Sequence, residues 1–214
     1  MTGFFISSEG IDGAGKSTQL DISARYLRGI GRRVEVTREP GGVPVAERLR
    51  ELLLQCSMDA VTQASLMFAA RREHLRHRIL PSLARGDVVL CDRFTDSTFA
   101  YQGAAGADWD ELRKLEQIML AFPDKSGGRR VIEPDLTLWF DIDTETAARR
   151  RRVRGEGAAD DFERRGDDFF AAVRQGYLRR MKEYPERIFR IDADQNADDV
   201  SEQVLKIVRE RLNL

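Results

Sequence analysis

The residues Gly10-Ile11-Asp12-Gly13-Ala14-Gly15-Lys16-Ser17, followed by Thr18, concentrate more chemistry than any other stretch of this sequence. They fit G-x-x-x-x-G-K-[ST], in which glycines let the backbone curl until several N–H groups point at one anion. A helix leaving such a loop adds the positive end of its dipole. Lys16 has the reach for β- and γ-phosphates, and Ser17 offers an oxygen to Mg²⁺. Three further segments supply charge and polar groups. Thr37-Arg38-Glu39-Pro40-Gly41-Gly42 is one, and Asp92-Arg93-Phe94, running on to Ser97 and Tyr101-Gln102-Gly103, is the second. The third is Phe68-Ala69-Ala70-Arg71-Arg72. The loop alone announces a nucleoside triphosphate, and switch GTPases, motor ATPases and small-molecule kinases all use it. The Asn-Lys-x-Asp element of guanine-specific GTPases does not occur in this sequence.

The elements that must position these residues are legible as periodicity. Short β-rich runs span 4–7, 34–37, 88–91, 136–140 and 188–191. Helical periodicity covers 16–29, 44–55, 60–85, 109–121, 144–154, 162–183 and 198–212. Strands alternating with helices predict an α/β three-layer sandwich, a five-stranded parallel sheet with helices on both faces. The central strands are continuous apolar runs, as burial on both faces requires. Ligands of such sheets bind beyond the carboxyl ends of the strands. The phosphate loop and the segments at Thr37 and Asp92 all begin at such ends. Lys16, Arg38 and Arg93 are therefore expected around phosphate, with Asp12, Glu39 and Asp92 near a metal or a sugar. Pro40-Gly41-Gly42 and the stretch from Pro123 to Gly128 are expected to be loops.

Composition bounds the remaining possibilities. The chain has 214 residues, 35 Lys+Arg against 36 Asp+Glu, and a formal net charge of −1. A protein that coats nucleic acid needs a clear basic excess, which is missing. The 42% hydrophobic content suffices for a sizeable core. With no repeat or linker, residues 1–214 are expected to form one domain. No apolar run reaches the roughly 18 residues of a membrane span, and the first residues do not have the pattern of a signal peptide. Cys56 and Cys91 are too few and too far apart for a disulfide framework or a zinc site, and both are expected to be buried. They fit a reducing cytoplasm. His74 and His77 lack a third ligand and are expected to be exposed helix residues.

Taken together, the segments resemble bacterial thymidylate kinase over nearly the whole length. The resemblance is carried by E-G-I-D-G-A-G-K-S-T from Glu9, T-R-E-P-G-G from Thr37, F-A-A-R-R-E-H-L from Phe68, D-R-F-T-D-S-T-F-A-Y-Q-G from Asp92, P-D-L-T from Pro134 and I-D-A from Ile191. It implies a P-loop NTPase-type fold and transfer of the ATP γ-phosphate to thymidine 5′-monophosphate. It implies that Gly10 to Thr18 and Arg150 bind the donor nucleotide, with Lys16 on its phosphates and Ser17 on Mg²⁺. Asp12 matches an acidic residue beside the acceptor. Arg38, Arg93 and Arg50 match acceptor-phosphate cations, and Glu39 and Asp92 match carboxylates organising metal and water. Phe68 resembles a ring that stacks on thymine. Arg71 and Arg72 are both expected at the substrate, with Arg71 preferred for reading the base. Ser97, Tyr101 and Gln102 fall beside the base or sugar, and Ala193 to Ala197 fall where the adenine loop lies. A homodimer is also implied. The chemistry agrees with these roles. The acceptor is already a phosphate, so no strong general base is needed, but two polyanions that repel each other need cations between them.

The resemblance also separates two arrangements of the catalytic arginine, one inside the phosphate loop and one on a closing flap. Gly13 stands at the loop position, so this chain resembles the second kind. From Arg149 to Arg154 every residue but Val153 is arginine, and acidic residues follow at Glu156, Asp160, Asp161 and Glu163. Residues 149–165 are accordingly expected to form a basic lid over the ATP phosphates. Many relatives carry a lid arginine where this chain has Asp161. Arg152, Arg154 and Arg164 remain as sources of the catalytic cation, with Arg154 preferred. Two other functions stay open. One is a nucleoside monophosphate kinase for a different base, which an acceptor panel separates. The other is a nucleotide-driven switch, which would show no acceptor dependence.

Overall fold

Strand β1 (Phe4–Glu9) leads through a glycine-rich turn into helix α1 (Lys16–Gly29) in a computed structural model that describes residues 3–124, 127–154 and 166–214. Next come β2 (Val34–Arg38), α2 (Pro44–Gln55) and α3 (Ala60–His74). Helix α3 runs on through one wide π turn (Leu75–Ile79) into α4 (Leu80–Ala84). Strand β3 (Val88–Asp92), α5 (Thr95–Ala104) and α6 (Trp109–Met119) follow. A small antiparallel hairpin, β4 (Ala121–Pro123) with β5 (Arg129–Val131), precedes β6 (Leu136–Asp141). The rest comprises α7 (Thr144–Arg154), α8 (Asp167–Glu183), β7 (Ile188–Asp192) and α9 (Ala197–Leu212).

The main sheet has five strands in the order β2-β3-β1-β6-β7, and every pairing in it is parallel. Neighbouring residues of a strand point to opposite faces, and the core divides accordingly. Phe5, Val89 and Cys91 join Phe68, Phe94 and Phe99 on one face. Ile6, Val88 and Leu90 join Leu27, Trp139, Tyr177 and Val204 on the other. The expected three-layer sandwich and its five parallel strands are present. No helix among the described residues is long and apolar enough to cross a membrane.

The departures from the sequence reading have local causes. Helix α5 gives no amphipathic signal, because Thr95 to Gln102 are all buried and the helix has no polar face to alternate with. Pro123, expected to open a loop, instead ends strand β4, and beyond it the Asp124 carboxylate accepts the Gly128 N–H at 3.0 Å. Helix α9 begins one residue early because Asn196 caps it, accepting the N–H groups of Asp198 and Asp199. Helix α8 is described only from Asp167, so 162–165 of the expected span lie outside the described residues. Cys91 is buried as expected, whereas Cys56 is exposed. It follows the last residue of α2, where that helix ends at the surface.

Candidate active site

The phosphate loop is built by close approach. Gly13 adopts φ +90°, and a Cβ there would lie 2.5 Å from the Ala147 carbonyl of α7. Only glycine lets α7 rest directly on the loop. Gly15 (φ 89°) ends the loop ahead of α1, whose N-terminus has no side-chain cap and no acidic residue in its first turn. The helix start is thus left polar and positive, the arrangement that accepts a phosphate. Lys16 folds back into the loop and donates to the Ile11 carbonyl at 3.0 Å and to Asp12 Oδ1 at 3.3 Å. Ser17 and Thr18 are exposed on the first turn of α1. Ser17 Oγ donates to Asp92 Oδ2 at 3.1 Å, while the other oxygen, Asp92 Oδ1, is buried with no hydrogen-bond partner among the described residues. A hydroxyl beside a half-used carboxylate, both at strand ends, is an oxygen donor set that suits a hard divalent cation.

Next to the loop lies a cavity of about 190 Å³, bounded by the ends of β2 and β3 and by α2, α3 and α5. Asp12, Arg38, Glu39, Arg50, Arg71, Asp92, Arg93, Ser97, Tyr101 and Gln102, drawn from five separate stretches of the sequence, all line it. Arg93 holds a left-handed backbone (φ 69°), which turns its guanidinium from the strand end toward Asp12. The contacts are Asp12 Oδ1 at 2.7 Å, Ser97 Oγ at 3.1 Å and the Tyr101 hydroxyl at 3.3 Å. Partial burial works against the Asp12 carboxylate, but Arg93 and Lys16 outweigh it and hold its pKa well below the usual range. Lys16 is pulled below the ordinary lysine value, by burial first and by Arg93 next. Arg38 reaches both oxygens of Glu47, at 3.0 and 3.1 Å, and Arg50 donates to the Pro40 carbonyl at 2.9 Å.

Arg71 forms the far wall. Its Nε donates to Glu39 Oε2 at 2.6 Å and one terminal nitrogen donates to the Phe94 carbonyl at 3.0 Å. Its other terminal nitrogen, Nη1, is buried without a hydrogen-bond partner among the described residues, as is Thr98 Oγ1. Both side chains line the cavity. An unmet buried polar group costs about 1–3 kcal/mol, so these two mark where a polar ligand edge would be rewarded. Glu39 has its second oxygen on His74 Nδ1 at 2.8 Å, and His74 Nε2 meets the Thr37 hydroxyl at 2.7 Å.

Several expected placements change. Phe68 is fully buried in the core beneath the sheet and does not line the cavity, whereas Met67 does. Met67 sits one full turn before Arg71 and shares its face, while Phe68 is rotated toward the core. Arg72 also turns away, donating to the Met119 carbonyl at 2.5 Å and stacking on Phe122. His74 is buried, because it lies on the α3 stripe that faces β2; His77 is exposed as expected. Glu39 pairs one oxygen with Arg71 and the other with His74, and so holds Arg71 in place at the cavity wall.

Arg150 donates to the carbonyls of Ala193 (2.8 Å) and Gln195 (3.3 Å), bringing α7 against the loop before α9. Arg152 is exposed on α7. The side chain of Arg154, and Arg164 with the remainder of the 155–165 segment, lie outside the described residues. Three features eluded the sequence reading: Met67, the buried carboxylate Glu9 below Arg93, and Tyr177 of α8, whose hydroxyl lies 2.9 Å from Ser97 Oγ. The spacing 67, 71, 74, 78 on one helix face was the available signal, since Arg71, His74 and Arg78 all reach β2 or the loop after it.

Comparison with known proteins agrees with this geometry. The family model described as "Thymidylate kinase" matches residues 8–204. A thymidylate kinase of Albidiferax ferrireducens is 51% identical over 214 residues, covering 98% of this chain and 96% of that protein. One of Pseudomonas syringae pv. tomato is 48% identical, covering 100% and 99%. The crystal structure of thymidylate kinase from Ehrlichia chaffeensis superposes with a TM-score of 0.75 at 32% identity, covering 97% of this chain and 99% of that one.

Proposed function

The chain belongs to the thymidylate kinase family, and from that premise we propose how its residues divide the work. The protein is a phosphotransferase that phosphorylates dTMP, with ATP as the donor. The observation that carries the residue assignments is the adjacency of two sites. A cationic phosphate loop and a cavity with unmet polar groups share Asp12 and Arg93 at their border.

The loop amides and Lys16 bind the donor phosphates, with Gly10 to Thr18 as the cradle. Arg150 and the 193–197 loop flank the adenine. The acceptor lies in the cavity, its phosphate toward Arg38, Arg50 and Arg93 and its base toward Arg71, Gln102 and the Met67 side chain. Arg71 Nη1 is the donor for a base carbonyl. Ser97 and Tyr101 hold Arg93 beside the sugar and phosphate. Ser17 and Asp92 are the residues that would hold Mg²⁺, which neutralises donor-phosphate charge when bound. Binding both anions against fixed cations converts a bimolecular encounter between repelling groups into an aligned displacement. A lid spanning 149–165 supplies a further cation, with Arg154 the preferred source.

Residues 1–214 act as one catalytic domain, in the cytoplasm and as a homodimer. Val45 and Leu52 of α2, Val61 of α3 and Ile118 of α6 expose large apolar side chains, in keeping with the dimer assignment. Steady-state assays with ATP and TMP, UMP, CMP, GMP or AMP test the acceptor assignment. TMP is expected to give the highest kcat/KM, and a different best acceptor would overturn the base-reading roles of Arg71 and Gln102.

A further inference from the structure

Glu9, the last residue of β1, lies one layer below the cavity. It is fully buried and is not among the lining residues. Oε1 accepts the Phe94 N–H at 2.7 Å, and Oε2 accepts the Ser97 hydroxyl and, at 3.4 Å, the Tyr177 hydroxyl. Three elements meet at this carboxylate: the turn after β3, the start of α5, and α8. Two of the partners lead on to Arg93, whose Nη1 donates to Ser97 Oγ at 3.1 Å and approaches the Tyr177 hydroxyl at 3.5 Å. The third fixes the backbone of the next residue. The Arg93 N–H itself donates to the Ser8 carbonyl at 2.9 Å. Arg93 is thus bracketed by the last two residues of β1. Its left-handed backbone is strained for a side chain with a Cβ and persists only where its surroundings over-determine it. An apolar residue at position 9 would fill the space but leave a buried N–H and two hydroxyls without their acceptor.

We propose that Glu9 is a positioning residue for acceptor binding, which acts through Phe94, Ser97 and Tyr177 to fix the direction in which Arg93 presents its guanidinium to the acceptor phosphate. This rests on the assignment of Arg93 to that phosphate. The geometry has a consequence for pH. Burial, and after it Asp96, push the Glu9 carboxyl up to about 8, against the pull of Ser97, Arg93 and Phe94. The titratable and charged groups that face it are Asp96 from α5, Cys91 from β3, Arg93 from the turn and Tyr177 from α8. Ionised, Glu9 accepts from all three partners. Protonated, it must donate to one of the hydroxyls, and the orientation of the Ser97–Tyr177 pair toward Arg93 changes.

The test compares wild type with Glu9→Gln, measuring kcat/KM for dTMP, KM for ATP and the dTMP profile from pH 6.5 to 9.5. Misdirecting one catalytic cation by about 1 Å costs on the order of 10²-fold, so a fall of about 10- to 100-fold in kcat/KM for dTMP is expected. KM for ATP is expected to stay within about twofold, because the hydrogen bonds of the Glu9 side chain go to Phe94, Ser97 and Tyr177 rather than to the donor loop. The wild-type profile should show a step near pH 8 that the variant lacks. Wild-type acceptor kinetics in the variant, parallel losses for donor and acceptor, or a step that survives the substitution would each overturn the proposal. Should Glu9→Gln not fold, the double variant Ser97→Ala with Tyr177→Phe removes both hydroxyls that join Glu9 to Arg93 while leaving the carboxylate and its Phe94 N–H contact. An acceptor-specific loss in it supports the proposal, and unchanged acceptor kinetics overturn it. A wild-type enzyme that ignores dTMP would instead refute the underlying assignment, before any variant is made.

Discussion

Replacing Arg180 with methionine asks whether the acceptor helix α5 and the helix α8 are held as one body. Arg180 is fully buried and donates to Asp96 at 2.7 Å and to Glu116 at 3.2 Å. Its guanidinium stacks over Phe99 at 4.1 Å and Tyr184 at 4.4 Å. Nearby, Gly176 of α8 lies so close to Ala100 of α5 that a Cβ would come within 2.7 Å of its Cα. Removing one member of a buried ion pair usually costs about 3–5 kcal/mol, because the partner is left charged and dry. Here two features soften the loss. Asp96 keeps Arg187, at 2.7 and 2.9 Å. Glu116 keeps the Thr95 hydroxyl at 2.8 Å and already has a raised pKa, through burial opposed by Arg180, so it can take up a proton. Methionine also fills the stem volume. The expected cost is therefore at the lower end, about 3 kcal/mol at pH 7, or a fall of about 6–12 °C in Tm at roughly 2–4 °C per kcal/mol.

The sign of the pH dependence follows from Glu116. Without Arg180 its folded-state pKa rises further above the unfolded value. A carboxyl raised in the folded state favours folding below the unfolded pKa, and that contribution is lost as pH rises through the folded pKa. The deficit of Arg180→Met relative to wild type should therefore be largest at pH 8.5 and smaller at pH 5.5. Urea unfolding at three pH values measures it. A deficit under about 1 kcal/mol at pH 7 would mean the pair contributes no more than an exposed one does. A deficit that grew toward acid would refute the account of Glu116. The loss of kcat/KM for dTMP should exceed the loss for ATP, since α5 carries Ser97, Tyr101 and Gln102.

Lys16→Ala should leave the fold intact by circular dichroism and lower kcat by at least about 10²-fold, as expected when a cation aimed at developing charge is removed. Arg71→Ala should reduce kcat/KM for TMP by about 10- to 100-fold, the worth of a charged hydrogen bond, and blur the choice among pyrimidine acceptors. Arg72→Ala should leave that choice unchanged in the same acceptor panel. Phe68→Ala should cost about 3–5 kcal/mol in urea unfolding as a core truncation, whereas Met67→Ala should mainly raise KM for the acceptor; the reverse pattern would put Phe68 at the base.

What could be read from the sequence was whatever depends on near neighbours. The phosphate loop needs only eight consecutive residues, and the five strands of the main sheet are apolar runs whose meaning does not depend on their partners. The strand-end rule then placed Arg38 and Arg93 correctly at one cavity. Helix α5 escaped because it is buried all round, so no periodicity betrays it. Phe68 is expected at the cavity and Met67 lines it instead, because one residue of helix is about 100° of rotation and only the packing of α3 against the sheet shows which side faces the cavity. His74 escaped for the same reason. The buried network of Asp96, Glu116, Arg180 and Arg187 joins residues far apart in the chain, each indistinguishable in the sequence from a solvated charge.

The near-zero net charge acquires a physical meaning from the pairs themselves. Among the described site cations, Lys16 and Arg93 meet Asp12, Arg38 meets Glu47, and Arg71 meets Glu39. These pairs differ in what an incoming phosphate can do to them. Arg38 and Glu47 are 54% and 39% exposed, and such a pair is worth about 0–1 kcal/mol. A phosphate can therefore exchange for Glu47 at little cost, with water taking up the released carboxylate. Arg71 and Glu39 are each 2% exposed, and parting them would strand a charge in the core at about 3–5 kcal/mol. Arg38 can thus exchange its partner at little cost, and Arg71 is held where it is, which is what the proposed roles of the two require. A residue that closes on phosphate needs the first property, and one that reads a base edge needs the second.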